Sequence, residues 1–243
     1  MRKILLILSS IYLFANEIYA SFDVIADKSS KLALSAGGVV SKIYVDVASK
    51  VKKGDLLLEL DSDIEEIALK QAKSEYELAK IGFEHANNTL NRYLQVKNVI
   101  DEQSLESIKA KQEEFQTRLN TAQINILRYE TMIKKKKLYA PFSGVISAKL
   151  VEVAEGVGGV MQPLFVLDSY PKVKLLLSFD EKYKDLVKIG DSFSYQVNDK
   201  KMQGKISKIY PNIDVKTRKV YAEVDAQDLS IGLFGEGYIK VGE

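Results

Sequence analysis

The stretch VKKGDLLLELDSDIEE (residues 51–66) changes character halfway. Gly54 followed by Asp55 is a tight-turn signal, and the leucine-rich run after it reads as part of a small β module. Within a few residues the pattern becomes helical. Asp61, Asp63, Glu65 and Glu66 crowd the start of that helix, where negative charge suits the free backbone N–H groups of a first turn. The β module is left half built, so its other half must lie elsewhere in the chain.

The helical reading extends far beyond residue 66. Between residues 62 and 140 there is no Pro and a single Gly, Gly82, whereas both flanks are rich in Val, Ile and turn residues. Leu69, Ala72, Tyr76, Ala79, Phe83, Ala86, Leu90 and Tyr93 alternate in steps of three and four, the seam of a heptad helix. The pattern breaks at residues 97–100, and Asp101 is placed to cap a new helix. Leu105, Ile108, Gln112, Phe115, Leu119, Ala122, Ile126, Tyr129 and Ile133 carry the second seam, in which only Gln112 is polar. Helices of about 33 residues would each reach ~50 Å. Equal length and a short connection predict an antiparallel coiled-coil hairpin over residues 63–137. The hairpin would bring Lys134, Lys135, Lys136 and Lys137 against the acidic start of the first helix.

The missing β half follows the helices. GVVSKIYVDVASKVKKGDLLLELDS (residues 38–62) and GVISAKLVEVAEGVGGVMQPLFVLDS (residues 144–169) share G-V-[VI]-S, then V-x-V-A, then L-x-x-L-D-S, with one extra residue in the second copy. Val39, Ser41, Ile43, Val45 and Val47 alternate as a half-buried strand does. A repeat split by an insertion predicts two β halves closing on each other while the hairpin projects outward.

A chain of 243 residues with 46 % apolar residues can bury a core and fill one or two domains. Its net charge of +2 gives no general pull toward nucleic acid or anionic lipid. Arg2 and Lys3, the apolar run from Ile4 to Phe14 and the small Ala20 read as a signal peptide over residues 1–20, with an uncleaved anchor as the alternative. The run is too short for the ~20 apolar residues of a membrane span. The absence of Cys excludes disulfides and a lipidated N-terminal Cys. An exported, periplasmic chain is expected.

The first repeat resembles a biotinyl or lipoyl carrier half-motif, and the second, through YAPFSGVIS and PLFVL, resembles its partner. With the hairpin between them and GKISKIYPNIDVKTRKVYAEVDA (residues 204–226) after them, nearly all of the chain beyond the leader resembles the periplasmic adaptors, or membrane fusion proteins, of RND-type tripartite efflux pumps. The resemblance implies a mainly β fold. A lipoyl-like barrel-sandwich hybrid (residues 32–62 and 138–169) would be split by the hairpin and joined to a small β-barrel (residues 21–31 and 170–243). It implies a non-catalytic link between an inner-membrane transporter and a TolC-type outer-membrane channel, assembled as a trimeric or hexameric ring with no cofactor and no nucleic acid. The chain stops where the barrel's last strand would finish, as a short member without a further membrane-proximal domain would.

In the best-known branch of that family the hairpin tip offers an Arg, a Leu four residues later and a Ser seven beyond that. Leu94 matches the Leu and Asp101 the Ser, but the Arg position holds Leu90, and Arg92 is displaced by two. The implied channel contact comprises Leu94, Asp101, Arg92, Val99 and Ile100. The barrel motif I-x-P-x-I-D-x-x-T-R places Pro211, Asp214, Thr217 and Arg218 as structural or interface residues. Two alternatives remain open: an adaptor of an ATP-driven, ABC-type exporter, and a biotinyl or lipoyl carrier using Lys42, Lys52 or Lys53. A carrier lysine sits at the tip between the halves, where helices are predicted here. His85 falls on a solvated helix face, and Met132, Met161 and Met202 are scattered, so no metal cluster is legible. There is no nucleophile elbow, P-loop, dinucleotide loop or metal-ligand spacing.

Overall fold

The computed structural model describes residues 16–96 and 101–242. They form fourteen strands and two long helices, and the chain divides into two compact units. One is a closed, antiparallel six-stranded barrel and the other combines small sheets with the helices.

The barrel runs β1 (Asn16–Ala26), β10 (Lys172–Asp180), β13 (Lys219–Gln227), β12 (Lys200–Asp214), β11 (Ser192–Val197) and β14 (Phe234–Val241), with β14 returning to β1. Alternation decides which side chains enter. Val173, Leu175, Leu177 and Phe179 of β10 alternate with more exposed neighbours, and Val220, Ala222 and Val224 of β13 enter the core on the same period of two. Phe22, Phe193 and Tyr195 fill the interior, with ring centroids 5.4–5.9 Å apart. Gly237 faces that cluster because a Cβ there would stand 2.5 Å from the Phe193 ring.

Two boundaries differ from the sequence reading. Residues 16–20, assigned to the leader, form the first half of β1, where they pair with β14 and bury Ile18 and Ala20 in the barrel core. Glu17, Ile18, Tyr19 and Ala20 alternate exposed and buried as a strand does, a short pattern hidden in the sequence by the apolar run before it. Residues 29–31 were assigned to the barrel but belong to β2 (Ser29–Leu32) of a small sheet.

The small sheets are formed by β2 with β3 (Gly38–Ile43), β4 (Lys50–Val51), β5 (Leu56–Leu60), β6 (Lys137–Tyr139), β7 (Gly144–Lys149), β8 (Gly156–Val157) and β9 (Phe165–Ser169). They run β2-β9-β7-β4 and β6-β5-β3-β8. The two repeats exchange backbone hydrogen bonds in matched pairs. The Ala48 amide donates to the Ile146 carbonyl at 2.8 Å and the Ala154 amide to the Val40 carbonyl at 2.9 Å; Ile146 donates to Ser49 at 3.0 Å and Val40 to Glu155 at 2.9 Å. Ala48 and Ala154 hold the left-handed region at φ 67° and 69°, a strained choice for a residue with a Cβ, and both copies make it at the same place. Neither half completes its ladder alone.

α1 (Asp63–Gln95) and α2 (Glu102–Lys135) leave from β5 and return into β6. They run antiparallel: the first turn of α1 meets the last turn of α2, and their middles touch where a Cβ on Gly82 would lie 2.6 Å from the Phe115 ring. Ala72, Ala86 and Ala122 are buried. The other predicted seam residues are half-buried, Gln112 among them, except Tyr93, which is exposed near the end of α1.

Candidate functional site

Three places on the molecule carry the residues singled out above. The first is the end of the helical pair. Asp101 precedes α2 and accepts from the Ser104 amide at 2.8 Å and the Ser104 hydroxyl at 2.7 Å, an N-cap that satisfies a free first-turn donor. Those hydrogen bonds hold its carboxyl below the usual carboxylate range. Leu94 is 42 % exposed, and the Arg92 guanidinium donates to Thr89 at 3.3 Å rather than to Asp101. Val99 and Ile100 lie outside the described residues. Of the predicted tip set, Asp101 has a structural explanation, while Leu94 is an exposed apolar side chain that the seam does not use.

The second place is the root of the helices. Lys136 Nζ bridges to Glu65 at 2.7 Å and donates to the Asp61 carbonyl at 2.7 Å; Lys137 pairs with Glu59 at 2.8 Å. Glu59 is also bonded by the Tyr44 hydroxyl at 2.7 Å. These partners hold both carboxyls below their ordinary range, led in each case by the lysine hydrogen bond. One ion pair, Lys136 with Glu65, thus joins the basic and acidic runs at the root of the helices, and Lys137 pairs instead with Glu59 of β5.

The third place is the outer face of the barrel around the β12–β13 turn. Asp214 accepts from the amides of Lys216 and Thr217, both at 2.9 Å, and Arg218 takes φ 54° as the chain turns back. Pro211 lies in a bulge where Tyr210 to Asn212 stand opposite Tyr221 alone, and its carbonyl accepts from Lys184 at 3.1 Å. Asp214, Thr217 and Arg218 thus shape one tight turn, and Pro211 marks the irregularity leading into it. Val215 projects from that turn almost fully exposed.

The sequence reading missed a charged cluster beside this turn. Glu223 points out of the barrel between Ala222 and Val224, yet it is only 5 % exposed. Lys174 bridges it at 2.9 Å and Asp27 at 3.0 Å; the Tyr210 hydroxyl donates to Glu223 at 2.5 Å; Lys208 lies 3.6 Å away. Burial pushes the Glu223 carboxyl up, but the Tyr210 and Lys174 hydrogen bonds outweigh it and hold the group below its ordinary value. Lys174 is raised well above the lysine range by Glu223 and then Asp27. Alternation could have placed Glu223 outward. Only the bulge at residues 210–212 brings Tyr210 over it.

Among the described residues no group of three or more His, Asp or Glu side chains could hold a metal, and no helix is long and apolar enough to cross a membrane.

No family model matches the chain. Among curated proteins it is 28 % identical over 150 residues to the multidrug resistance protein MdtA of Proteus mirabilis, covering 60 % of this chain and 36 % of that protein. It is 24 % identical over 218 residues to MdtA of Xenorhabdus bovienii, covering 84 % and 52 %. The chain thus spans about a third to a half of the length of these relatives. Among solved structures, the membrane fusion protein Spr0693 of Streptococcus pneumoniae matches with a TM-score of 0.74 at 19 % identity, over 93 % of this chain and all of that one. MacA of Actinobacillus actinomycetemcomitans matches at 0.70 and 20 % identity, over 93 % and 78 %.

Proposed function

We propose that this chain, a member of the periplasmic adaptor or membrane fusion protein family, is a non-catalytic subunit that joins an inner-membrane efflux transporter to an outer-membrane channel of TolC type. α1 and α2 serve as a coiled-coil hairpin reaching toward the channel. The interleaved repeats serve as a lipoyl-like module that grips both ends of the hairpin, and copies assemble into a ring. Exported and periplasmic, the ring would enclose a conduit for small molecules in a multidrug-type pump.

One observation carries this reading: the halves that exchange the Ala48–Ile146 and Ala154–Val40 hydrogen bonds are the same halves from which both helices leave and return. A stiff arm is useful only when both of its ends are fixed in one rigid body, and a two-helix rod rooted in crossed β halves meets that need. The carrier alternative loses ground for the same reason, since the junction where a modified lysine would sit is occupied by helices.

The test is capture of partners from membranes. The wild-type chain should co-purify with a transporter and a channel, and Leu94→Asp should fold normally yet lose the channel while keeping the transporter. Normal channel capture by Leu94→Asp would remove Leu94 from the contact. A biotin or lipoyl mass on any lysine of the exported protein would replace the adaptor reading with the carrier one.

A further inference from the structure

The apolar run from Ile4 to Phe14 is followed by two alanines at which a leader could end, Ala15 and Ala20. Leader peptidases favour a small residue just before the cut and another two places earlier. Leu13 stands two places before Ala15 and Ile18 two places before Ala20, both large, so local sequence does not choose between the two sites. The barrel does.

A cut after Ala20 would start the chain at Ser21 and remove the first five residues of β1. Those residues make five of the eight backbone pairs that join β1 to β14, from Asn16 opposite Val241 to Ala20 opposite Gly237. β10 supplies no substitute, since it pairs with β1 only from Ser21 to Ala26. β14 would keep β11 on its other side, where Ser192 to Tyr195 face Lys240 to Gly237, and the barrel would open along the vacated edge. Such an edge leaves a row of backbone donors and acceptors unpaired. The side chains are committed as well. Ile18 is 3 % exposed, Ala20 is fully buried, and Ile18 stands opposite the fully buried Ile239 in the core that holds Phe22 and Phe193. On the outer face the Tyr19 ring stands edge-on to Tyr238 with centroids 6.1 Å apart, and Glu17 lies 3.9 Å from Lys240. Both faces of this half-strand are therefore in use.

We infer that the exported chain keeps residues 16–20 and begins at Asn16, its leader being cut between Ala15 and Asn16. Water hydrolyses that peptide bond at a membrane-bound leader peptidase, leaving the carboxylate of Ala15 on the released leader and an α-ammonium group on Asn16. Ala15 lies outside the described residues; Asn16 is the first residue of β1. The cut thus frees the closing strand at its first paired residue and takes nothing from the barrel. Retention of the whole leader as an anchor would also keep residues 16–20. The run from Ile4 to Phe14 is 11 residues long, however, within the ~7–15 of a leader core and short of the ~20 that cross a bilayer. The cut deepens the exported, periplasmic part of the proposed function and rests on that part alone.

Intact mass and N-terminal sequencing of the full chain recovered from the cell envelope test this site. A chain beginning at Asn16 is expected, and one beginning at Ser21 or at Met1 would overturn the inference. Ala15→Gln should block the cut and accumulate precursor; normal processing of that variant would overturn it too. A second measurement reads the contribution of the five residues. Placed behind a leader with its own fixed cleavage site, the chain starting at Ser21 should melt roughly 10 °C below the chain starting at Asn16, through loss of a buried Ile and its strand pairing. Equal melting points would show that the barrel closes without residues 16–20 and would remove the ground for the inference. An Asn16 terminus on a chain that captures neither transporter nor channel would uphold the cut site and sink the adaptor reading. Precursor confined to the cytoplasm would sink both.

Discussion

Phe193 in the barrel and Phe115 in the helical arm are the same residue type held in opposite ways. Phe193 is fully enclosed, in contact with Phe22 and Tyr195, whereas Phe115 lies half-buried against Gly82 with Lys111 and Arg118 over its ring. A closed barrel surrounds its interior on every side. Two helices share one seam, and a side chain in that seam keeps a flank toward solvent. The barrel therefore holds its stability in a few large side chains, while the arm spreads its own over a long row of half-buried ones.

Substitution should expose that contrast most strongly at its centre. Phe193→Ala should cost ~3–5 kcal/mol, the range for deleting a core aromatic, and Phe115→Ala about half of that because solvent already reaches its site. Denaturant titration of the two variants measures both. Equal losses would mean that the seam is as well enclosed as the barrel.

The Glu223 cluster sharpens the comparison on the barrel side. Glu223→Gln keeps the shape but removes the charge that Lys174 and Tyr210 bond, so a loss of ~1.5–3 kcal/mol is expected at neutral pH, typical of hydrogen bonds to charged groups. The folded-state value of Glu223 is depressed. Its contribution is therefore present above the unfolded carboxylate value and lost as pH falls through the folded one. The wild type should lose stability on that acid limb, and Glu223→Gln should show a flatter one. Parallel acid limbs would show that Glu223 is not coupled to folding.

On the arm side, Gly82→Ala should lower the melting temperature by a small amount. Alanine gains ~1 kcal/mol of helix propensity over glycine, yet its methyl group would meet the Phe115 ring at 2.6 Å. A higher melting temperature would show that the ring turns aside freely. The smallest effect belongs to Asp101→Ala, which removes a cap from an exposed helix start. Faster hydrogen exchange at the Ser104 amide, with the global melt unchanged, is the expected result; unchanged exchange would mean that the cap does not hold the first turn.

Much of this architecture was legible because its signals are local and periodic. The three-and-four spacing named the residues that line the helical seam, down to the half-buried Gln112. The repeated G-V-[VI]-S and V-x-V-A placed the two halves that now exchange hydrogen bonds. The Asp101 cap and the pairing of Lys136 with Glu65 followed from charge and position, whereas Glu59, the partner of Lys137, lies on β5 outside the acidic run that the sequence marked. The beginning of β1 was not legible, since residues 16–20 follow an apolar run and their strand partners lie more than two hundred residues away in β14. The Glu223 cluster was hidden for a similar reason: Lys174, Tyr210 and Glu223 come from three strands and Asp27 from the turn after β1, and no window of sequence contains them all.

The sequence by itself determined that two β halves flank a pair of helices, because repeat similarity and heptad spacing are properties of neighbouring residues along the chain. Only the tertiary structure decided which carboxylate is buried and which strand the N-terminal residues join. Those outcomes depend on side chains brought together by barrel closure and antiparallel pairing, and distance along the chain carries no record of that meeting.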